Sequence, residues 1–229
     1  MITAQPSPRI KLIQEEYAYI IDAFASNACV AGFTKPAIEG DPPREMHKAL
    51  SFLDKKFDVC YMKQVHGADI QKVSAPGQYT CDGIFTDLKG LALVVRTADC
   101  MPLIFYSQRE NVAGVVHMGW RSAKEGILGN IPYNLSGFKV IAGVGMRRCC
   151  YEVGDEFSGY VNIAPHLSER GGKHYFDALA FAKGTLLSKG LKEENFSDVD
   201  ICSYCSGKNF FSHRKTATPN RTLSFILLF

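Results

Sequence analysis

Two short apolar runs, Leu91–Val95 and Val112–Val116, constrain the fold of this chain more than any other feature. Both are rich in branched aliphatic residues and are bounded by polar or turn-forming residues, which is the pattern of a buried strand. The reactive side chains that directly follow the two runs are Arg96, Thr97, Asp99, Cys100, His117 and Arg121. We therefore expect two core strands whose ends deliver these side chains to a common pocket.

The rest of the chain alternates between strand-like and helix-like segments, with neither an internal repeat nor a linker. The predicted helices are Arg44–Lys55, Ser122–Leu128 and Tyr175–Lys189, and Gly32–Pro43 is a predicted loop. The further predicted strands are Ile10–Glu16 and Tyr17–Phe24 as a hairpin, Phe57–Met62, Ile70–Val73, Phe138–Val144, Val199–Tyr204 and Thr222–Phe229. This pattern predicts one α/β domain over residues 1–229, with mixed β-sheets.

Composition and charge exclude several classes of function. The chain is 46% hydrophobic and 21% charged, an ordinary globular balance, and its net charge of +3 is too small to indicate nucleic acid binding. It contains no uncharged apolar run of about 18 residues, so we expect no membrane partner. Its eight cysteines come without an N-terminal export signal, which predicts reduced thiols and a cytoplasmic location.

One cysteine and two histidines form the main candidate site. His66, Cys100 and His117 each stand at a predicted strand-to-turn junction beside Gly or Pro, although their spacing matches no zinc finger. Two imidazoles and a thiolate are ligands that suit zinc, and three protein ligands leave one position open for water or substrate. The alternative reading is a buried cysteine with two hydrogen-bonded histidines.

Basic residues near these three positions predict an anion site. Arg96, Arg121 and Lys63 could hold phosphate, because guanidinium groups match its oxygens. Arg121 also precedes the helix expected from Ser122, whose free N–H groups would add to the site. The alternative is that these are surface charges.

Two aspartates near the candidate site have different expected roles. Asp99 adjoins Cys100 and is predicted to act as a general acid or base, or else to orient His117. Asp82 precedes Gly83 and is interpreted as a turn residue.

Two cysteine pairs lie outside the candidate site. Cys202 and Cys205 form a CxxC pair, which by itself is a weak signal for metal binding or redox chemistry. Cys149 and Cys150 are adjacent and do not readily bridge each other without strain. We interpret both pairs as packing thiols.

The chain resembles the laccase-domain or purine nucleoside phosphorylase-like family, which includes peptidoglycan editing factors and was formerly assigned to multicopper polyphenol oxidases. The matching segments are KQVHGADI, CDGIFTDLKGLALVVRTADCMPLIFY, GVVHMGWR, GVGMRRCCYEVGDEF, YFDALAFAK and CSYCSGKNFFSHRK. They occur in the family's order and cover most of the chain from about Tyr61 to Arg214.

The resemblance implies a four-layer α/β/β/α fold and a zinc site formed by His66, Cys100 and His117. It also implies phosphorolysis of purine nucleosides, with adenosine deamination and methylthioadenosine phosphorolysis as related activities, so the expected partners are a purine nucleoside and phosphate. The expected catalytic residues are these three ligands together with Asp99 and Arg121. Zinc is preferred over copper, because a laccase needs several coppers and many more histidines than the six present here.

The first sixty residues depart from the family pattern. Residues Phe24–Asn27 stand where the family carries an arginine-containing segment, and Met46-His47 replaces an expected Asn-Arg pair. These departures leave the choice of substrate open. Two alternatives therefore stay beside the phosphorylase: a hydrolase or amidase with Cys100 as nucleophile, acting on a peptidoglycan precursor, and a non-catalytic, zinc-stabilised binding protein.

Overall fold

Two large β-sheets packed face to face form the centre of the protein. The computed structural model describes residues 10–24, 28–36, 41–207 and 210–229 of the chain. Residues 25–27 of the departing N-terminal segment, and part of the predicted 32–43 loop, lie outside these ranges.

Among the described residues, the first sheet has seven strands in the order β1-β2-β3-β16-β8-β4-β6. In that order they are Leu12–Gln14, Ala18–Ile21, Cys29–Thr34, Thr222–Leu228, Leu91–Thr97, Asp58–Met62 and Gly77–Tyr79. The sheet is mixed, because β8 pairs antiparallel with β16 but parallel with β4. The closing strand β16 thus lies at the middle of the sheet rather than at its edge.

In the part of the chain that the structure describes, the second sheet has six strands in the order β15-β11-β9-β10-β7-β5, and a small third sheet has the order β12-β14-β13. The six strands are, in order, Phe196–Asp198, Lys139–Ala142, Met101–Ser107, Val112–Met118, Gly83–Thr86 and Ile70–Lys72. The three strands are Glu152–Val153, Lys173–Phe176 and Leu167–Arg170.

Four α-helices accompany the sheets in the described part of the chain. They are α1 (Pro42–Ala49), α2 (Trp120–Lys124), α3 (Ala178–Ser188) and α4 (His213–Thr216). Short 3-10 helices cover Asp22–Phe24, Ile127–Asn130, Leu135–Gly137, Asp155–Gly159, Ala164–His166 and Glu193–Asn195. None of the described helices is both long enough and apolar enough to cross a membrane.

The four layers follow from strands that are apolar on both faces. On β16, Phe225 packs with α1 on the outer side, whereas Ile226 packs between the two sheets. On β9, Ile104 joins the same inter-sheet core, whereas Phe105 packs towards α3 and its neighbours. Successive side chains of a strand point to opposite faces, so continuous apolar runs require cover on both sides. The predicted mixed α/β fold with four layers is confirmed.

Several predicted elements agree with the structure, including the N-terminal hairpin and the strands at 57–62, 70–73, 91–95, 112–116, 138–144 and 222–229. The strand β9 was not anticipated, and Gly32–Thr34 belongs to β3 rather than to a loop. In β3, a Cβ on Gly32 would lie 2.2 Å from the Tyr19 carbonyl oxygen, so a glycine that looked like a loop residue serves close strand packing.

The predicted helix boundaries are wrong in three places, for local reasons. The helix expected at 175–189 begins at Ala178 behind its N-cap Asp177, because the preceding residues are strand β14. The helix expected at 44–55 is Pro42–Ala49, capped by Asp41. The helix expected at 122–128 begins already at Trp120 and ends at Lys124, and Gly126, with φ of 80°, separates it from the following 3-10 turn.

The strand predicted at 199–204 is also wrong. The strand in this region is β15, which ends at Asp198, and Cys202 forms only an isolated bridge with Gly145. The chain then turns through residues 203–205. This turn brings the CxxC pair back towards the segment that follows β11.

Candidate active site and metal centre

Three segments that are distant in sequence bring His66, Cys100 and His117 together. One ligand atom of each residue lies within 4.8 Å of the others. His66 follows β4, Cys100 lies in the turn between β8 and β9, and His117 is near the end of β10. Cys100 and His117 become neighbours because β9 and β10 pair, with Met101 opposite Met118. The predicted convergence of these residues is present in the structure.

The backbone around the three residues is tightly packed. His66 and Asp99 adopt positive φ angles of 63° and 91°, a region that few non-glycine residues occupy. A Cβ on Gly119 would lie 3.0 Å from Cys100 Sγ and 3.2 Å from His66 Cδ2. Gly119 therefore lets the backbone pass directly against the side chains of Cys100 and His66.

Asp82 orients His117 and the loop that carries His66, so its interpretation as a turn residue needs correction. Its side chain is fully buried, and His117 Nδ1 donates a hydrogen bond to Asp82 Oδ1 over 2.8 Å. The backbone N–H groups of Val65, His66 and Gly67 also donate to the same carboxylate, at 3.2, 3.0 and 2.8 Å. Such a carboxylate–histidine pair fixes the tautomer and direction of a metal-ligating imidazole.

The electrostatics favour an ionised thiol at Cys100. Burial raises the pKa of Cys100, but hydrogen bonds and charge from His117 and His66 outweigh it and lower the pKa to about 6. Burial lowers the pKa of His117, whereas Asp82 and Cys100 raise it to about 9. Without a metal, these shifts favour a thiolate beside an imidazolium between about pH 6 and about pH 9, and with a metal the same thiolate is a ready ligand.

Asp99 points towards other partners than His117. Ser203 Oγ donates to Asp99 Oδ1, and the backbone N–H of Arg214 donates to Asp99 Oδ2, both over 2.8 Å. Asp82, and not Asp99, therefore orients His117. Asp99 still lines the cleft beside Cys100, so its predicted role in moving protons stays a prediction.

A cleft of about 580 Å³ opens over the three residues, and its charged lining is mostly basic. The cationic side chains in it are Lys63, Arg96, Arg121, Arg214 and Arg221. Arg96 Nε is buried without a hydrogen-bond partner among the described residues. Arg121 stacks over the Trp120 ring at 4.8 Å, and no acidic side chain in the described part of the chain pairs with it. A cleft of this charge suits an anionic ligand.

The helix that follows Gly119 contributes less to this cleft than expected. It has five residues, so Arg121 lies within its first turn and not before it. The side chain of Arg121, and not a helix terminus, therefore carries the predicted anion site.

The donor set fits a zinc ion and argues against a multicopper centre. Thiolate and imidazole groups are both zinc ligands, and catalytic zinc has three protein ligands with a fourth position open. Among the described residues, the groups that could hold a metal contain at most two histidines. A cluster of several coppers bound by many imidazoles has no counterpart in this arrangement.

The two cysteine pairs, interpreted from the sequence as packing thiols, lie next to each other in the structure. Cys149, Cys150, Cys202 and Cys205 form one group whose sulfur atoms all lie within 4.8 Å of one another. The sequence separation of about fifty residues between the pairs concealed this grouping.

Sequence reasoning missed several residues that line the cleft. Tyr151, His213, Arg214 and Arg221 come from segments far from the triad in sequence. Tyr151 and Arg214 do lie within the family-like segments GVGMRRCCYEVGDEF and CSYCSGKNFFSHRK, which was the available signal. Arg221 directly precedes β16 and lies outside those segments.

Comparison with known proteins establishes the family. A family profile described as "Multi-copper polyphenol oxidoreductase laccase" matches residues 37–229. The chain therefore belongs to this family, which confirms the resemblance inferred from its motifs.

Two proteins that are similar in sequence are named purine nucleoside phosphorylases. The chain is 29% identical over 213 residues to "Purine nucleoside phosphorylase YlmD" of Geobacillus stearothermophilus, covering 80% of this chain and 76% of that protein. It is 34% identical over 152 residues to "Purine nucleoside phosphorylase" of Aquifex aeolicus, covering 64% of this chain and 70% of that protein. These relatives support an enzyme of the phosphorylase or laccase-like kind.

Solved structures share the fold. The crystal structure of the Bacillus licheniformis hypothetical protein YfiH superposes with a TM-score of 0.84 at 22% identity, covering 96% of this chain and 99% of that one. The structure of YlmD from Geobacillus stearothermophilus gives a TM-score of 0.79 at 26% identity, covering 97% and 99%.

Proposed function

We propose that this protein is a zinc-binding purine nucleoside phosphorylase, with adenosine deamination and methylthioadenosine phosphorolysis as further activities of the same site. The observation that carries the proposal is that one cleft contains both candidate metal ligands and cationic side chains. His66, Cys100 and His117 lie beside cationic side chains that pair with no carboxylate among the described residues, of which Arg121 is the clearest. The names of the relatives at 29% and 34% identity support the same class of substrate.

The cationic side chains would hold phosphate. Arg121 and Arg96 both line the cleft, and the buried Nε of Arg96 offers an N–H group without a partner among the described residues. A guanidinium group binds phosphate oxygens through paired, charge-assisted hydrogen bonds. Placing phosphate against the sugar would convert a bimolecular attack into one between preoriented groups.

The aromatic side chains and Asp99 would act on the nucleoside. Trp120 and Tyr151 line the cleft, and their aromatic side chains would contact a purine there. Asp99 lies beside Cys100 at the cleft and would move a proton to or from the base. A zinc ion held by His66, Cys100 and His117 would supply Lewis-acid chemistry and lower the pKa of bound water to about 7.

The test is to incubate the purified, zinc-loaded protein with adenosine, inosine and methylthioadenosine, with and without phosphate, and to identify products by mass spectrometry. We expect a free base and a sugar phosphate only when phosphate is present, and inosine from adenosine in either case. A matched Cys100→Ser preparation is the control for contaminating enzymes. No turnover of any nucleoside by folded, zinc-loaded protein contradicts the proposal and favours the binding protein.

A cysteine-dependent hydrolase is the second candidate, and one observation favours it. Cys100, His117 and Asp82 form a chain of hydrogen-bonded groups in which the thiol has a pKa lowered to about 6. This is the arrangement of a nucleophile, its base and the group that orients the base. The substrate would be an amide, such as a peptidoglycan precursor. Cys100 would attack its carbonyl carbon to form a thioester, the C–N bond would break and the amine would leave with a proton from His117, and water would then hydrolyse the thioester.

Alkylation distinguishes the two readings. For the metal enzyme, zinc should protect Cys100 from iodoacetamide, and chelation should abolish activity before any alkylation. For the hydrolase, protein treated with a chelator should keep its amide-hydrolysing activity until Cys100 is alkylated. Measuring activity and Cys100 modification on the same samples decides between them.

A further inference from the structure

Four cysteine sulfurs meet in a second cluster, outside the triad of His66, Cys100 and His117. They belong to Cys149, Cys150, Cys202 and Cys205, and all lie within 4.8 Å of one another. Cys202 is buried, Cys150 is partly buried, and Cys149 and Cys205 are exposed. Four thiols so close together are the ligand set of a structural zinc site.

The sulfur separations fit a metal better than a disulfide. Cys149 Sγ and Cys205 Sγ are 3.6 Å apart. Zinc bound at about 2.3 Å by four sulfurs in a tetrahedron separates them by about 3.8 Å, whereas a disulfide bond is about 2.05 Å long. The two outer sulfurs therefore already stand at the spacing of metal ligands.

Backbone contacts hold the two cysteine-bearing segments of the cluster side by side. Gly145 and Cys202 form a parallel bridge, and the backbone N–H of Ser203 donates to the Gly145 carbonyl over 3.1 Å. The chain turns through residues 203–205 and returns Cys205 to the same side as Cys202. This is the short loop that a CxxC pair needs to present both sulfurs to one ion.

Backbone amides and a guanidinium group lie around the cluster. The backbone N–H groups of Arg147, Cys205 and Tyr204 donate hydrogen bonds to the Cys202 thiol. Arg170 donates to the carbonyl oxygens of Arg148 and Cys149 at 2.8 and 3.1 Å, which holds its guanidinium group beside the cluster. Four thiolates around a divalent ion leave a net negative charge, which such amides and cations stabilise.

We propose that Cys149, Cys150, Cys202 and Cys205 bind a second zinc ion, which is structural and holds together two loops next to the cleft. Four protein ligands fill its coordination, so it has no open position for substrate. The first loop continues into Tyr151, which lines the cleft. The second contains Ser203, whose hydroxyl donates to Asp99 over 2.8 Å. The ion would thus hold Asp99 and Tyr151 in place from outside the cleft.

Metal counting tests the proposal on the intact chain. We expect two zinc ions per chain by elemental analysis of protein purified with a reductant. The double variant Cys202→Ser/Cys205→Ser should retain one, and Cys100→Ser should also retain one, each losing a different site. The control Cys60→Ala removes a buried thiol outside both groups and should retain two. A folded Cys202→Ser/Cys205→Ser variant that holds as much zinc as the wild type, even after zinc is added, overturns the proposal.

Alkylation mapping gives a second measurement that needs no variant, in case the double variant fails to fold. Cys149 and Cys205 are exposed, so as free thiols they should react readily with iodoacetamide. With zinc bound, we expect them to react at least about tenfold more slowly until a chelator is added. Rapid modification of zinc-loaded native protein, or recovery of Cys149 and Cys205 as a disulfide under reducing purification, contradicts the proposal.

Discussion

The buried carboxylate of Asp82 accepts a hydrogen bond from the imidazole of His117 over 2.8 Å. The same carboxylate accepts the backbone N–H groups of Val65, His66 and Gly67, which set the loop that carries His66. One acidic side chain therefore determines the orientation of both histidines that face Cys100. This makes Asp82 the most informative residue for testing the metal site.

Asp82→Asn should weaken zinc binding at the triad by about 10–100-fold, as loss of an orienting partner does in other metal sites. The amide keeps the size of the side chain but removes the charge that holds His117. Zinc affinity can be measured by competition with a chelator of known affinity. Because loss of the whole fold would also release zinc, the variant's thermal unfolding and far-UV circular dichroism are the controls. Unchanged zinc affinity in a folded variant would contradict the assigned role.

The pH dependence of Cys100 reactivity should reveal the thiolate–imidazolium pair. In chelator-treated protein, the alkylation rate should rise with pH through a midpoint near 6, because His117 and His66 lower the pKa of Cys100. An unperturbed thiol has its midpoint near 8.5. In Asp82→Asn the midpoint should move upwards, since the imidazolium is less stable and favours the thiolate less. Iodoacetamide rates followed by peptide mass spectrometry give both midpoints, and two ordinary values would refute the pairing.

Arg121→Ala should slow phosphorolysis and raise the Michaelis constant for phosphate. Removing one charge-assisted contact costs about 1–3 kcal/mol of transition-state binding. Deamination consumes water and not phosphate, so it should change much less, and zinc content should not change.

Arg109→Ala is a matched control for this change, because Arg109 is an exposed arginine that pairs with Glu110 and does not line the cleft. Phosphorolysis and deamination must be measured on the same preparations. If both activities of Arg121→Ala fall equally, the phosphate assignment is wrong.

Gly119→Ala should lower zinc affinity without a comparable loss of stability. The added methyl group would lie 3.0 Å from Cys100 Sγ and 3.2 Å from His66 Cδ2, so one ligand must shift. Gly129→Ala is the matched control, because a Cβ at Gly129 meets no atom within 4 Å. Zinc competition and thermal unfolding of both variants measure the two effects separately. Equal zinc affinity in the two variants would show that the site tolerates the methyl group.

The sequence by itself determined the layered core and the three residues of the candidate centre. The runs at 91–95 and 112–116 are apolar at every position, and such runs can only be strands or helices covered on both faces. His66, Cys100 and His117 stood beside turn-forming residues and within specific motifs, so local pattern was enough to select them. Periodicity, turns and short motifs are local properties, and one sequence contains them directly.

Only the tertiary structure decided which residues, distant in sequence, form hydrogen bonds with the side chains of the candidate site. Asp82 looked like a turn residue, yet it reaches His117 across 35 positions of sequence. The predicted strand at 199–204 is instead a turn that brings Ser203 to Asp99 across 104 positions. These partners depend on strand pairing and on the packing of loops, which no local pattern encodes. The four cysteines became one cluster for the same reason, since their proximity exists only once β9, β11 and β15 lie side by side.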